Sequence, residues 1–182
     1  MDIRILLLVT VAVAFMAACN MNQKHEKQSR KASFHSLATH TQDTMPAQNG
    51  GKIEKTEEEW RKLLTAKEFR ILRERGTEIP FVNEYWDNKK EGIYYCGACG
   101  QPLYSSRHKY RSGTGWPSFW KPITPSAVEE REDNSFFMTR TEIVCSRCGS
   151  HIGHVFNDGP EPTGLRYCMN SAALDFKEQA VD

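Results

Sequence analysis

The sequence predicts a mainly β domain of antiparallel strands carrying a helical N-terminal arm. Three observations lead there. From Gly92 onward, short apolar runs alternate with Gly, Pro and Ser, the texture of brief strands joined by turns. Before that stretch, Thr56-Glu-Glu-Glu59 supplies the two polar ends of a capping box, which opens a helix. Two Cys-x-x-Cys pairs, Cys96/Cys99 and Cys145/Cys148, sit among the expected strands as a possible staple.

The N-terminus comes first in the chain and has a different character. Ile3 to Ala18 is apolar apart from Arg4 and Thr10, and it runs into Met16-Ala-Ala-Cys19. An apolar core ending in small residues reads as an export signal over residues 1–18. It falls short of the roughly 20 apolar residues that span a bilayer as a helix. Cys19 after two alanines resembles a bacterial lipobox, in which the cysteine is lipidated and becomes the first mature residue. Met16 in place of the commoner leucine, and Asp2 in the leading segment, depart from that pattern. The expectation is export to the bacterial cell envelope or periplasm, with acyl chains on Cys19 anchoring the protein to a membrane. Residues 19–52, rich in Gln, Asn, Lys, Ser, Thr and His, read as a flexible linker that ends in the turn signal Asn49-Gly-Gly51. Residues 53–182 form the folded domain.

Within that domain, Trp60, Leu63, Leu64, Phe69, Ile71 and Leu72 mark an imperfect helical stripe. A second short helix can restart near Thr65, and Gly76 suits the left-handed position that ends a helix. This arm is expected to pack on the domain rather than to supply a site. Strands are expected at Ile93-Tyr95, Pro102-Tyr104, Ser135-Met138, Glu142-Val144, His154-Phe156, Tyr167-Asn170 and Ala173-Phe176. The formal net charge of +1 gives no basis for nucleic-acid binding.

Each Cys-x-x-Cys is followed by glycine, as Cys99-Gly100 and Cys148-Gly149. A strand, a tight turn and a glycine that frees an N–H to face sulfur make a zinc knuckle. Two knuckles fill a tetrahedral shell with no open position, so the Zn²⁺ they imply is structural. Disulfides or a redox pair are the alternative reading in an exported protein, although neither pair opens an evident helix that would lower a thiol pKa.

If zinc takes four thiols, Cys168 is left free. It can be a buried inert thiol or a nucleophile. His151, His154 and Arg166 are available to favour a thiolate or to donate a proton. Asn170 falls two residues on, which places it on the same strand face, where its amide could orient a histidine or a water. The glycine-bent loop Gly113-Thr-Gly-Trp116-Pro-Ser-Phe119-Trp120 can wall a small apolar group, or its aromatics can be core.

Three segments, with the two knuckles, closely resemble the methionine sulfoxide reductase B family: Ser112-Gly-Thr-Gly-Trp-Pro-Ser-Phe119, His151-Ile-Gly-His-Val-Phe-Asn-Asp-Gly-Pro160 and Leu165-Arg-Tyr-Cys-Met-Asn-Ser171. The resemblance runs from about Thr56 to Phe176. It implies two antiparallel sheets in a small barrel and a reductase for the R epimer of protein methionine sulfoxide, a repair activity for oxidised proteins. It implies Cys168 as nucleophile, His151 and His154 with Asn170 at the sulfoxide oxygen, and Trp116 on the substrate methyl. Phe119 is placed with that substrate wall, and Arg166 and Asp158 in supporting roles. Many relatives carry a resolving cysteine where this chain has Thr114. A one-cysteine cycle is therefore expected, regenerated by a thioredoxin-like protein or a small thiol.

Overall fold

The computed structural model describes residues 51–135 and 138–181. The expected signal, Cys19 and nearly all of the linker lie outside them.

The arm is two helices, α1 at Glu57–Leu63 and α2 at Ala66–Leu72. Each opens with a capping box. The Glu59 carboxylate accepts from the Thr56 N–H at 2.7 Å while the Thr56 hydroxyl accepts from the Glu59 N–H at 3.2 Å. Thr65 and Glu68 repeat the arrangement at 2.9 and 3.3 Å. Seven residues are too few to be helical alone, so burial of Trp60, Leu64, Phe69, Ile71 and Leu72 must hold them. Gly76 does not take the expected left-handed position. Arg75 does, at φ 56°. Gly76 is required for another reason: its N–H donates to the Arg70 carbonyl at 2.9 Å, and a Cβ there would lie 2.8 Å from that oxygen.

Nine strands follow among the described residues: β1 Gly92–Cys96, β2 Pro102–Ser105, β3 Lys109–Tyr110, β4 Ser118–Phe119, β5 Val128–Asp133, β6 Arg140–Cys145, β7 His151–Phe156, β8 Arg166–Met169 and β9 Leu174–Glu178. They form two antiparallel sheets, ordered β2-β1-β9 and β3-β4-β8-β7-β6-β5. One hydrophobic cluster takes side chains from both sheets and from the arm, including Tyr94, Leu103, Tyr104, Phe119, Ile143, Ile152, Met169 and Leu174. Mainly β structure with a short helical arm is thus what the chain forms.

One strand expectation needs correction. Of the expected strand Ser135-Met138, Phe136 and Phe137 lie outside the described residues; Ser135 and Met138 belong to no strand, and the Met138 N–H donates to the Ser135 carbonyl at 3.2 Å between β5 and β6. The strand lies just before it, at Val-Glu-Glu-Arg-Glu-Asp133. Its charge hid it, and charge suits the edge position it occupies, since an exposed edge of apolar residues would invite pairing with other chains.

Candidate active site

The four knuckle cysteines converge from two hairpin turns, one joining β1 to β2 and the other joining β6 to β7. Their sulfurs all lie within 4.8 Å of one another. Cys96 and Cys148 are 3.7 Å apart, Cys99 and Cys145 3.6 Å. A tetrahedron of Zn–S bonds near 2.3 Å has sulfur–sulfur edges of about 3.8 Å. The cluster therefore fits one structural Zn²⁺, held by Cys96, Cys99, Cys145 and Cys148. No disulfide links these thiols. Gly100 and Gly149 take positive φ, 73° and 67°. Their N–H groups donate to the Cys96 and Cys145 carbonyls at 2.8 Å rather than facing sulfur as expected.

Cys168 stands apart from that cluster, on β8, an interior strand. The ladder sets its neighbours. Ser118 of β4 is directly opposite on one side and His154 of β7 on the other. Directly opposed residues of an antiparallel pair share a face, with Cβ atoms about 5 Å apart. The row continues through Glu142, opposite His154. Hence Ser118, Cys168, His154 and Glu142 line one face of the large sheet.

His151 joins them through an irregularity. Three residues along a regular strand would turn His151 and His154 to opposite faces. Ile143 pairs with Gly153, but Val144 pairs with His151, so Ile152 is an extra residue in β7. This β-bulge returns His151 to the face of His154, and the two rings meet edge to face at 5.4 Å. Gly153 permits the close packing here, since a Cβ would lie 2.2 Å from the Cys168 carbonyl oxygen.

Each imidazole has its own carboxylate. His151 Nδ1 is 2.6 Å from Glu142 Oε1, and His154 Nε2 is 2.8 Å from Asp133 Oδ2. Both carboxylates are buried. Arg75 lies 2.8 Å from Glu142 and 3.4 Å from Asp133, and Arg140 is 2.7 Å from Asp133. Hydrogen bonds from Ser135, with those of His154 and Arg140, hold the Asp133 carboxyl far below the usual range despite burial. Burial opposes ionisation of Glu142 too, yet its bond to His151 and the Arg75 charge bring it below its ordinary value. Burial lowers His154, with Asp133 opposing. A carboxylate only accepts, so Nδ1 of His151 carries a proton. Its Nε2 is buried and has no partner among protein groups.

Around the sulfur, the Thr114 hydroxyl is 3.9 Å from Cys168 Sγ and bonds Ser112 Oγ at 2.8 Å, which in turn bonds Ser118 Oγ at 2.7 Å. Arg166 forms a two-point pair with Asp158, at 2.8 and 2.9 Å, and lies over the Phe156 ring. The Trp116 indole N–H donates to the Glu78 carbonyl at 3.1 Å.

Two expected residues behave differently. Phe119 is fully buried on the core side, stacked 4.5 Å from Tyr104 and edge-on to Tyr94. It alternates with Ser118 along β4, so when Ser118 faces the site Phe119 cannot. Asn170 makes its bonds to backbone: it accepts from the Glu78 N–H at 3.1 Å and donates to the Ile152 carbonyl at 3.2 Å. It pins the bulge residue and the arm rather than a ring. The arm, expected only to pack, reaches the site through Arg75 and the Glu78 carbonyl. Asp133, Glu142 and Arg75 were not singled out from sequence. Only a cross-strand register could have found them.

The SelR domain model matches residues 64–178. Peptide methionine sulfoxide reductase MsrB of Methanosarcina mazei is 58% identical over 133 residues, covering 73% of this chain and 94% of that protein. The protein of the same name from Methanosarcina barkeri is 57% identical over 127 residues, covering 70% and 89%. That from Acinetobacter baylyi is 57% identical over 127 residues, covering 70% and 91%. The matched stretch carries Cys168, both histidines and all four knuckle cysteines, and the chain belongs to the MsrB family of SelR-domain proteins.

Proposed function

We propose that this protein reduces methionine-R-sulfoxide in peptides and proteins to methionine, with Cys168 as the nucleophile. The observation that carries the reading is the placement of His154 directly opposite Cys168, with His151 brought to the same face by the bulge. The substrate methyl packs on Trp116. Cys168 sulfur attacks the sulfoxide sulfur as the oxygen gains a proton. The Cys168 thiol proton passes to His151 Nε2, the imidazole nitrogen left without a partner among the described protein groups, and from there to the sulfoxide oxygen. Glu142 stabilises the imidazolium that donates it, as a carboxylate partner does for a catalytic histidine. The oxygen ends on Cys168 as a sulfenic acid and methionine departs. An external thiol then attacks the sulfenic sulfur, water leaves, and a second thiol resolves the mixed disulfide to restore Cys168. Thr114 rather than cysteine beside the sulfur, together with the commitment of the other four described thiols to the metal cluster, supports an outside reductant.

The test is an assay of both sulfoxide epimers with wild type and Cys168→Ser. The R epimer alone should turn over, and the serine variant should lose at least ~10³-fold in rate, the scale of losing a covalent nucleophile. Retained activity in a folded serine variant would rule the mechanism out. We further propose, from the sequence of residues 1–19, that the protein works in the cell envelope on a lipid anchor. Mass analysis of the mature N-terminus should find acylated Cys19, and an unmodified residue there removes the anchor.

A further inference from the structure

The segment after α2 presents an unusual surface. Among the described residues, the exposed large hydrophobics are Ile79, Phe81, Val82 and Met138. Three of the four fall within four positions. Ile79 is 71% exposed and Val82 78%. Scattered exposed apolar residues need no account, but a cluster does.

This cluster is fastened to the site. The Glu78 carbonyl, one residue before Ile79, holds the Trp116 indole. The Phe81 N–H donates to the Gly115 carbonyl at 2.8 Å, and Asn83 Nδ2 donates to the same oxygen at 2.7 Å. Any Cβ at Gly115 would lie 2.7 Å from both the Phe81 nitrogen and Pro80 Cβ. The loop that carries Trp116 and the apolar segment are therefore one packed unit. Phe81 itself takes φ 63°, a conformation rare for a bulky side chain. Its ring stays half exposed, edge-on to Trp86. Backbone held in such a region persists where the surroundings impose it, and such sites cluster at ligand clamps.

We propose that Ile79, Phe81 and Val82 form a docking rim for the residues that flank the sulfoxide in a polypeptide substrate, accepting apolar neighbours. The proposal rests on the reductase reading and deepens it. It follows from continuity: a side chain bound against Trp116 carries its own backbone across the unit that holds Trp116, and that unit displays aliphatic and aromatic surface. Burial of such surface is non-directional and scales with area, so the rim selects for apolar flanks rather than for one sequence.

The experiment compares three substrates: N-acetyl-methionine-R-sulfoxide amide, a heptapeptide with the sulfoxide between leucines and valines, and one with serines and glycines instead. The variant is Ile79→Ser with Val82→Ser, two exposed positions whose change leaves the packed contacts of Phe81 intact. Wild type should favour the apolar peptide over the polar one by about tenfold in kcat/KM, the scale of burying part of two aliphatic side chains. The double variant should lose that preference and keep wild-type turnover of the small amide. A preference that survives in the double variant, or its absence in wild type, overturns the rim while the reductase stands. Failure of wild type to reduce the small amide overturns the reductase reading, and the rim with it. A concentration-dependent dimer abolished by the two serines would assign the surface to a second copy and overturn the proposal.

Discussion

Burial lifts the Cys168 thiol above its ordinary value, with Thr114, Arg166 and Ser118 pulling the other way. A raised thiol value means that the protonated form predominates at neutral pH and the thiolate fraction grows only as pH rises through that value. Alkylation of Cys168 by iodoacetamide, followed by peptide mass, should therefore show a midpoint above that of a free cysteine. A midpoint below it would contradict the buried setting. At this scale the sequence singled out Cys168, His154, Trp116 and the zinc ligands because each falls in a short motif; the structure draws the four thiols into one cluster and sets His154 opposite Cys168. Phe119 was misread because a loop motif does not reveal where strand alternation begins. Asp133 and Glu142 were invisible because their partners lie on other strands.

Among the elements, β7 decides most. A regular strand would have split His151 and His154 between its two faces. The extra residue Ile152 restores them to one face, and the Asn170 side chain fixes it by accepting no ring proton but binding its carbonyl. No local composition signals such a bulge; it shows only in the pairing of β7 with β6. The helices were legible because capping boxes are local, down to the restart at Thr65. The edge strand β5 was not, because apolar alternation is the signal for strands and its residues are nearly all charged.

The whole domain is tied together at the four cysteines. The metal cluster joins the turn of the small sheet to a turn of the large one. The arm is tied in as well: Arg73 of the arm donates to the Cys148 carbonyl and to Ser150 at 3.3 Å, and Ile53 donates to the Arg147 carbonyl at 2.7 Å. Structural zinc contributes folding free energy comparable to a whole small domain's stability, on the order of 10 kcal/mol. Stripping the metal should thus lower the melting temperature by ~10 °C or more, with readdition of zinc restoring it. A metal-free protein that melts unchanged would show that the two sheets cohere without the clasp.

The position of β8 between β4 and β7 has one more outcome. Hydrogen-bonded on both edges, this strand gives its cysteine no hinge and no slack. On the proposed cycle the oxidised sulfur stays where that strand holds it. In that cycle the recharging thiol comes to that fixed address, because the strand that carries the sulfur is held on both sides and does not swing out to meet it.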